Sequence, residues 1–96
     1  MRITIVGLGY VGFSLSLLLA QKHSVIGLDT DEIKINKLNK KKSLIEDRDI
    51  KKFIKNTKLN LEATINSNYA YKHSDYIIIA VPTNYNYETG NFNTEI

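Results

Sequence analysis

Apolar and polar positions change their period several times along this chain, and each change marks an element. After Arg2, the run Ile3-Thr4-Ile5-Val6 is almost continuously apolar, which predicts a central parallel strand covered on both faces. From Tyr10 to Lys22 the period becomes helical. Val11, Leu15, Leu18 and Leu19 form one stripe and Phe13, Leu17 and Ala20 its neighbour, so this helix is expected to be largely buried. Ser14 and Ser16 are small enough to let it approach the sheet. A second strand, Ser24 to Leu28, closes on Asp29. Thr30 or Asp31 then caps a helix to about Lys40, with Glu32 in its first turn and a short apolar face of Ile35 and Leu38, with Ile33 beside it.

After a connection over residues 41–45, Ile50, Phe53 and Ile54 recur at i, i+3 and i+4 within Glu46 to Asn56, predicting a further amphipathic helix. Leu59 to Thr64 alternates apolar and polar residues, as an edge strand open to water on one side does. Asn66 or Ser67 caps a short helix to about His73. Tyr76-Ile77-Ile78-Ile79-Ala80-Val81 is the most apolar stretch and is expected to be a second buried central strand, stopped by Pro82. Thr83 to Asn91 reads as polar loop, and Asn93 to Ile96 as the cap and first turn of another helix.

Strands alternating with helices imply crossover connections and a parallel α/β sheet. The expected arrangement is the first half of a Rossmann-type fold, strand order 3-2-1-4 with flanking helices, spanning residues 1–96 as one partial domain. The ligand crevice of such a half lies between the C-terminal ends of its first and fourth strands.

Composition narrows this picture by exclusion. At 43% hydrophobic and 24% charged residues the chain has the balance of a soluble globular domain. No apolar run approaches the roughly 20 residues of a membrane span, and the glycine-cut N-terminus does not fit a signal peptide, so a cytoplasmic location is expected. With no cysteine and two histidines, neither disulfides nor a thiolate metal site is available. Eleven of the thirteen Lys and Arg residues fall between Lys22 and Lys58, yet they alternate with helix-spaced apolar residues and have no aromatic platform beside them. Solvated helix faces explain them better than a nucleic-acid surface does.

The first turn carries the chemistry. Gly7-Leu8-Gly9-Tyr10-Val11-Gly12 places three glycines at the G-x-G-x-x-G spacing, between a strand and a helix. In that setting Gly7 permits the tight turn, Gly9 admits a pyrophosphate to the backbone, and Gly12 lets helix and strand pack closely. Tyr10 and Val11 open the helix whose N-terminal N–H groups and dipole face the anion. Asp29 lies 22 residues after Gly7, near the spacing of the acid that accepts from the adenosine ribose hydroxyls and repels a 2′-phosphate, which favours NAD over NADP. Lys34 could reach the same ribose or a phosphate, and Pro82 with Thr83 would border the crevice on the nicotinamide side. Each has a plainer alternative: a packing turn, a solvated aspartate, a surface lysine, a capping threonine. No residue stands out as catalytic.

These stretches resemble the UDP-glucose/GDP-mannose dehydrogenase family. The likeness rests on Gly7 to Leu15, Gly27-Leu28-Asp29, Leu61 to Thr64, Tyr76 to Pro82, Thr83-Asn84-Tyr85-Asn86 and Asn91 to Thr94. Asn84, where branches acting on N-acetylated sugars more often carry a second proline, points to the UDP-glucose branch. The resemblance implies NAD as cofactor, with Val11, Asp29, Lys34 and Thr83 at cofactor-contacting positions, and two-step oxidation of UDP-glucose to UDP-glucuronate. It also implies that the family's essential cysteine, the second half of its Rossmann domain, a dimer-forming helix and a UDP-binding domain lie beyond these 96 residues. The chain alone is therefore expected to be catalytically inactive, and the unpaired Tyr76–Val81 edge to invite self-association. A stand-alone dinucleotide sensor and an inert fragment are the alternatives.

Overall fold

The computed structural model describes residues 1–80, 85–86 and 91–92. Four strands form one parallel sheet: β1 (Arg2–Val6), β2 (Ser24–Leu28), β3 (Leu61–Thr64) and β4 (Tyr76–Ile79), in the order β3-β2-β1-β4. This is the expected order. The helices are α1 (Tyr10–Leu19), α2 (Glu32–Asn39), α3 (Arg48–Asn56) and α4 (Ser67–Lys72). Register follows the pleat, with Ile5 opposite Gly27 and Ile78, and Gly27 opposite Ala63.

Each face of the sheet has its own core. On one face Leu8, Phe13 and Leu17 meet Ile35, Leu38, Ile54 and Ala63, so α1, α2 and α3 share a cluster, while Ile3, Ile5, Ala20 and Val25 form a second. On the other face Ile26 and Leu28 pack against Ala70 of α4. Thr4 interrupts the apolar run of β1 and is fully buried, but not unsatisfied. Its hydroxyl lies 3.2 Å from the Ala70 carbonyl oxygen and bonds the Ser74 hydroxyl, which donates to the same carbonyl at 2.6 Å.

Helix starts obey local chemistry. Asp31 caps α2 by accepting from the Ile33 and Lys34 N–H groups, Asp47 caps α3 through Ile50, and Asn66 caps α4 through Tyr69. At its other end α2 closes with a Schellman turn. Lys42 N–H donates to the Lys37 carbonyl at 2.9 Å and Lys41 N–H to Leu38 at 3.0 Å, with Lys41 at φ 59°.

Three expectations need correction. β4 is not a buried central strand: Tyr76, Ile77 and Ile79 are exposed, because β4 pairs only with β1 and is an edge among the described residues. α1 is not buried all round. Gly12, Phe13, Ser16 and Leu17 face the sheet, whereas Val11 and Leu18 are exposed and Leu15 and Leu19 only partly covered. Leu15 and Leu19 still pack against the second cluster, but Val11 and Leu18 lie on a side that no described element covers. Finally, within the stretch expected to be loop, β5 (Tyr85–Asn86) and β6 (Asn91–Phe92) pair antiparallel. The first turn of helix expected at Asn93 to Ile96 lies outside the described residues.

Candidate functional site: a dinucleotide cradle

The turn from β1 into α1 is built by three glycines that have different reasons for being glycine. Gly7 adopts φ 95°, and a Cβ there would sit 2.6 Å from the Ala80 carbonyl oxygen. Its own N–H donates to the Leu28 carbonyl at 2.8 Å. At Gly12 a Cβ would lie 1.7 Å from the Gly7 carbonyl oxygen and 3.2 Å from the Ala80 side chain, so the first turn of α1 rests directly on the strand ends. Both positions are fixed by the protein's own packing.

Gly9 is not. Its backbone is ordinary, with φ −72° and ψ −165°, and a Cβ would meet nothing within 4 Å among the described residues. Among the described residues neither conformation nor packing demands glycine at this exposed position, which leaves room for close approach from outside the protein. Gly9 is also the N-cap of α1, with no side-chain cap bond and no acidic residue in the first turn to meet the positive helix end. The first intrahelical bond is Phe13 N–H to the Gly9 carbonyl at 2.9 Å, which leaves the Tyr10, Val11 and Gly12 N–H groups without an intrahelical acceptor. Tyr10 and Val11 flank this end as exposed side chains. A pyrophosphate fits such a site in charge, in donors and in room.

Asp29 stands beside the turn and is already at work there. One carboxylate oxygen accepts the Leu8 N–H at 2.8 Å and the other the Asp31 N–H at 3.0 Å. It thereby ties the glycine turn to the start of α2. Partial burial pushes its carboxyl up, but the Leu8 and Asp31 N–H bonds, the nearby Lys34 charge and a bond from Thr30 outweigh this and hold it below the usual carboxylate range. Each oxygen keeps acceptor capacity for a ribose hydroxyl. Lys34, half-buried on the first turn of α2, is close enough to act on Asp29 through its charge.

The structure therefore brings Gly7, Gly9, Tyr10, Val11, Gly12, Asp29 and Lys34 to one end of the sheet, as the sequence predicted. Pro82 and Thr83 lie outside the described residues.

Three contributors escaped the sequence reading. Leu8 is 1% exposed and packs on Gly27, where a Cβ would come within 2.9 Å of its side chain. Ala80 backs both Gly7 and Gly12, and Asp31 shares Asp29 as well as capping its helix. A glycine inside a strand signals close approach, so Gly27 could have pointed to Leu8. Asp31 was legible as a cap but not as a donor to Asp29, and nothing in the local pattern announced Ala80.

Among the described residues no group of three His, Cys, Asp or Glu side chains could hold a metal, and no helix is long and apolar enough to cross a membrane.

Comparison with known proteins shows the family of the chain that carries this turn. Residues 1–96 match the UDP-glucose/GDP-mannose dehydrogenase family, NAD binding domain. The UDP-glucose 6-dehydrogenase of Streptococcus pneumoniae is 45% identical over 94 residues, covering 98% of this chain and 24% of that protein. That of Campylobacter jejuni is 41% identical over 96 residues, again 24% of its length. Among solved structures, a GDP-mannose dehydrogenase from Pseudomonas aeruginosa, described as a ternary complex, superposes with a TM-score of 0.80 at 31% identity, covering 99% of this chain and 22% of that one. The chain spans about a quarter of the length of the curated relatives it matches. It belongs to the UDP-glucose/GDP-mannose dehydrogenase family, within that family's NAD-binding domain.

Proposed function

We propose that this chain holds the adenosine and pyrophosphate half of NAD for a UDP-glucose 6-dehydrogenase. Gly9 and the helix-start N–H groups of Tyr10, Val11 and Gly12 receive the pyrophosphate, Asp29 accepts from the ribose, and Lys34 supplies nearby positive charge. Pro82 and Thr83 border the nicotinamide side. The observation that carries this reading is Gly9, exposed at the start of α1 with no described atom within 4 Å of where its Cβ would be, set beside the anchored carboxylate of Asp29. Relatives named UDP-glucose 6-dehydrogenase at 41–45% identity support the choice of substrate.

NAD, when bound, supplies the hydride acceptor for oxidation of the sugar. This chain's residues contribute binding and orientation. With no cysteine to act as the family's nucleophile, the 96 residues alone do not complete the oxidation. We place the domain in the cytoplasm as one partial Rossmann domain, which self-associates through the exposed β4 edge when no further chain covers it.

Calorimetric titration with NAD and NADP tests the cofactor reading. The parent chain should release heat with NAD and bind NADP more weakly, and Asp29→Ala should lose most of the NAD affinity. Equal heats for NAD and NADP, or an Asp29→Ala chain that binds NAD like the parent, would overturn the assignment of Asp29. No heat with either cofactor would leave an inert fragment.

A further inference from the structure

The far end of α2 carries a contact that the cofactor site does not explain. Asn39 is the last residue of this helix, and its side-chain amide meets both backbone groups of Ala63 on β3. The amide Nδ2 donates to the Ala63 carbonyl at 2.9 Å, and the Ala63 N–H donates to Asn39 Oδ1 at 2.8 Å. Alternate residues of a strand turn their backbone groups to opposite sides. The Asn60 and Thr64 carbonyls accept from Val25 and Asp29 of the neighbouring segment, so Ala63 points away from β2, to the outer edge of the sheet. Asn39 thus stands where another strand would pair, and it satisfies a donor and an acceptor in a residue only 7% exposed.

The two ends of α2 are tied to the same place. At its start, the Asp31 N–H donates to the Asp29 carboxylate. At its finish, Asn39 grips Ala63, and the carbonyl of the next residue, Thr64, accepts the Asp29 N–H at 3.3 Å. The bonds close a ring: Asp29, Asp31, α2, Asn39, Ala63, Thr64, and back to Asp29. Ile35 and Leu38 also hold the helix to the core, but apolar contact is non-directional and by itself leaves its axial placement loosely set. Two hydrogen bonds of fixed direction do not.

We propose that Asn39 is a positioning residue for the adenosine end of the cofactor site. It sets the axial placement of α2, and so of Asp31 and Lys34 around the Asp29 carboxylate, without touching the cofactor. The role rests on the NAD reading above; the clamp itself does not.

Two variants of the full 96-residue chain test it. Asn39→Asp opposes a carboxylate oxygen to the Ala63 carbonyl at neutral pH. Once protonated, the introduced carboxyl again offers one donor and one acceptor. That group's folded pKa is raised, so its contribution is present at low pH and lost as pH rises through it. The denaturation midpoint of Asn39→Asp should therefore lie well below the parent's at pH 7, and the gap should narrow toward about pH 4. For Asn39→Ala the gap should not narrow. A pH-independent gap for Asn39→Asp, or no gap at all, would overturn the clamp.

For positioning, NAD affinity at neutral pH is compared between Asn39→Ala and Ile3→Val, a core substitution remote from α2. Asn39→Ala should weaken NAD about tenfold, the loss of one to two hydrogen bonds' worth of order, and Ile3→Val should leave affinity unchanged. Equal losses in both variants, or none in Asn39→Ala, would overturn the positioning role. A parent chain that binds no NAD overturns the cofactor reading and this role with it, while the pH comparison still decides the clamp.

Discussion

At the scale of single residues, the three glycines of the turn make a separable prediction. Gly7→Ala meets both a left-handed backbone and the Ala80 carbonyl, and Gly12→Ala drives a methyl into the Gly7 carbonyl. Each should lower stability by about 1–3 kcal/mol or prevent folding, read from urea midpoints. Gly9→Ala touches nothing and exchanges one weak N-cap for a weaker one, so its stability should change by less than about 1 kcal/mol. Asp29 predicts a pH dependence. Its carboxyl is held below the usual range, so its contribution is present above the unfolded pKa and disappears as pH falls through the folded one. Asp29→Asn should be less stable than the parent at pH 7, and the difference should shrink in the acid range where the parent's carboxyl protonates.

This scale also shows what the chain made readable in advance. The glycine spacing, Asp29 and the caps at Asp31 and Asn66 were legible, because each depends on residue type and local spacing. The second duty of Asp29, holding the Leu8 N–H, was not. It arises between two turns 21 residues apart that only the finished sheet brings together.

Among the elements, β1, β2 and β4 followed from their apolar runs and β3 from its alternation, and their order followed from strands alternating with helices. Burial did not follow. Ile77 and Ile79 read as core and are exposed, because the same pattern describes a strand between two neighbours and a strand that still lacks one. The C-terminus of α2 was also opaque. Lys41 occupies the left-handed position of a Schellman turn, which glycine normally takes. Replacing it with glycine should raise stability by up to about 1 kcal/mol, since relief of the side chain's steric penalty outweighs the added freedom of the unfolded chain. A lowered midpoint for Lys41→Gly would contradict this account of the turn.

For the whole molecule, the glycine turn is packed in place and the outer side of β4 is open. The turn rests on β1, β2, α1, α2 and Ala80 at the end of β4, whereas Val11, Leu18, Ile77 and Ile79 present apolar surface with no described partner. Concentration-dependent association is expected, and Ile79→Lys should suppress it in light scattering while leaving the fold intact.

The central claim is that this turn is shaped around a ligand and not only around its own packing. Calorimetry of Gly9→Ala with NAD, alongside its circular dichroism, tests this most directly. The account predicts a chain folded like the parent whose NAD heat is largely lost. A folded Gly9→Ala chain that binds NAD as tightly as the parent would contradict it.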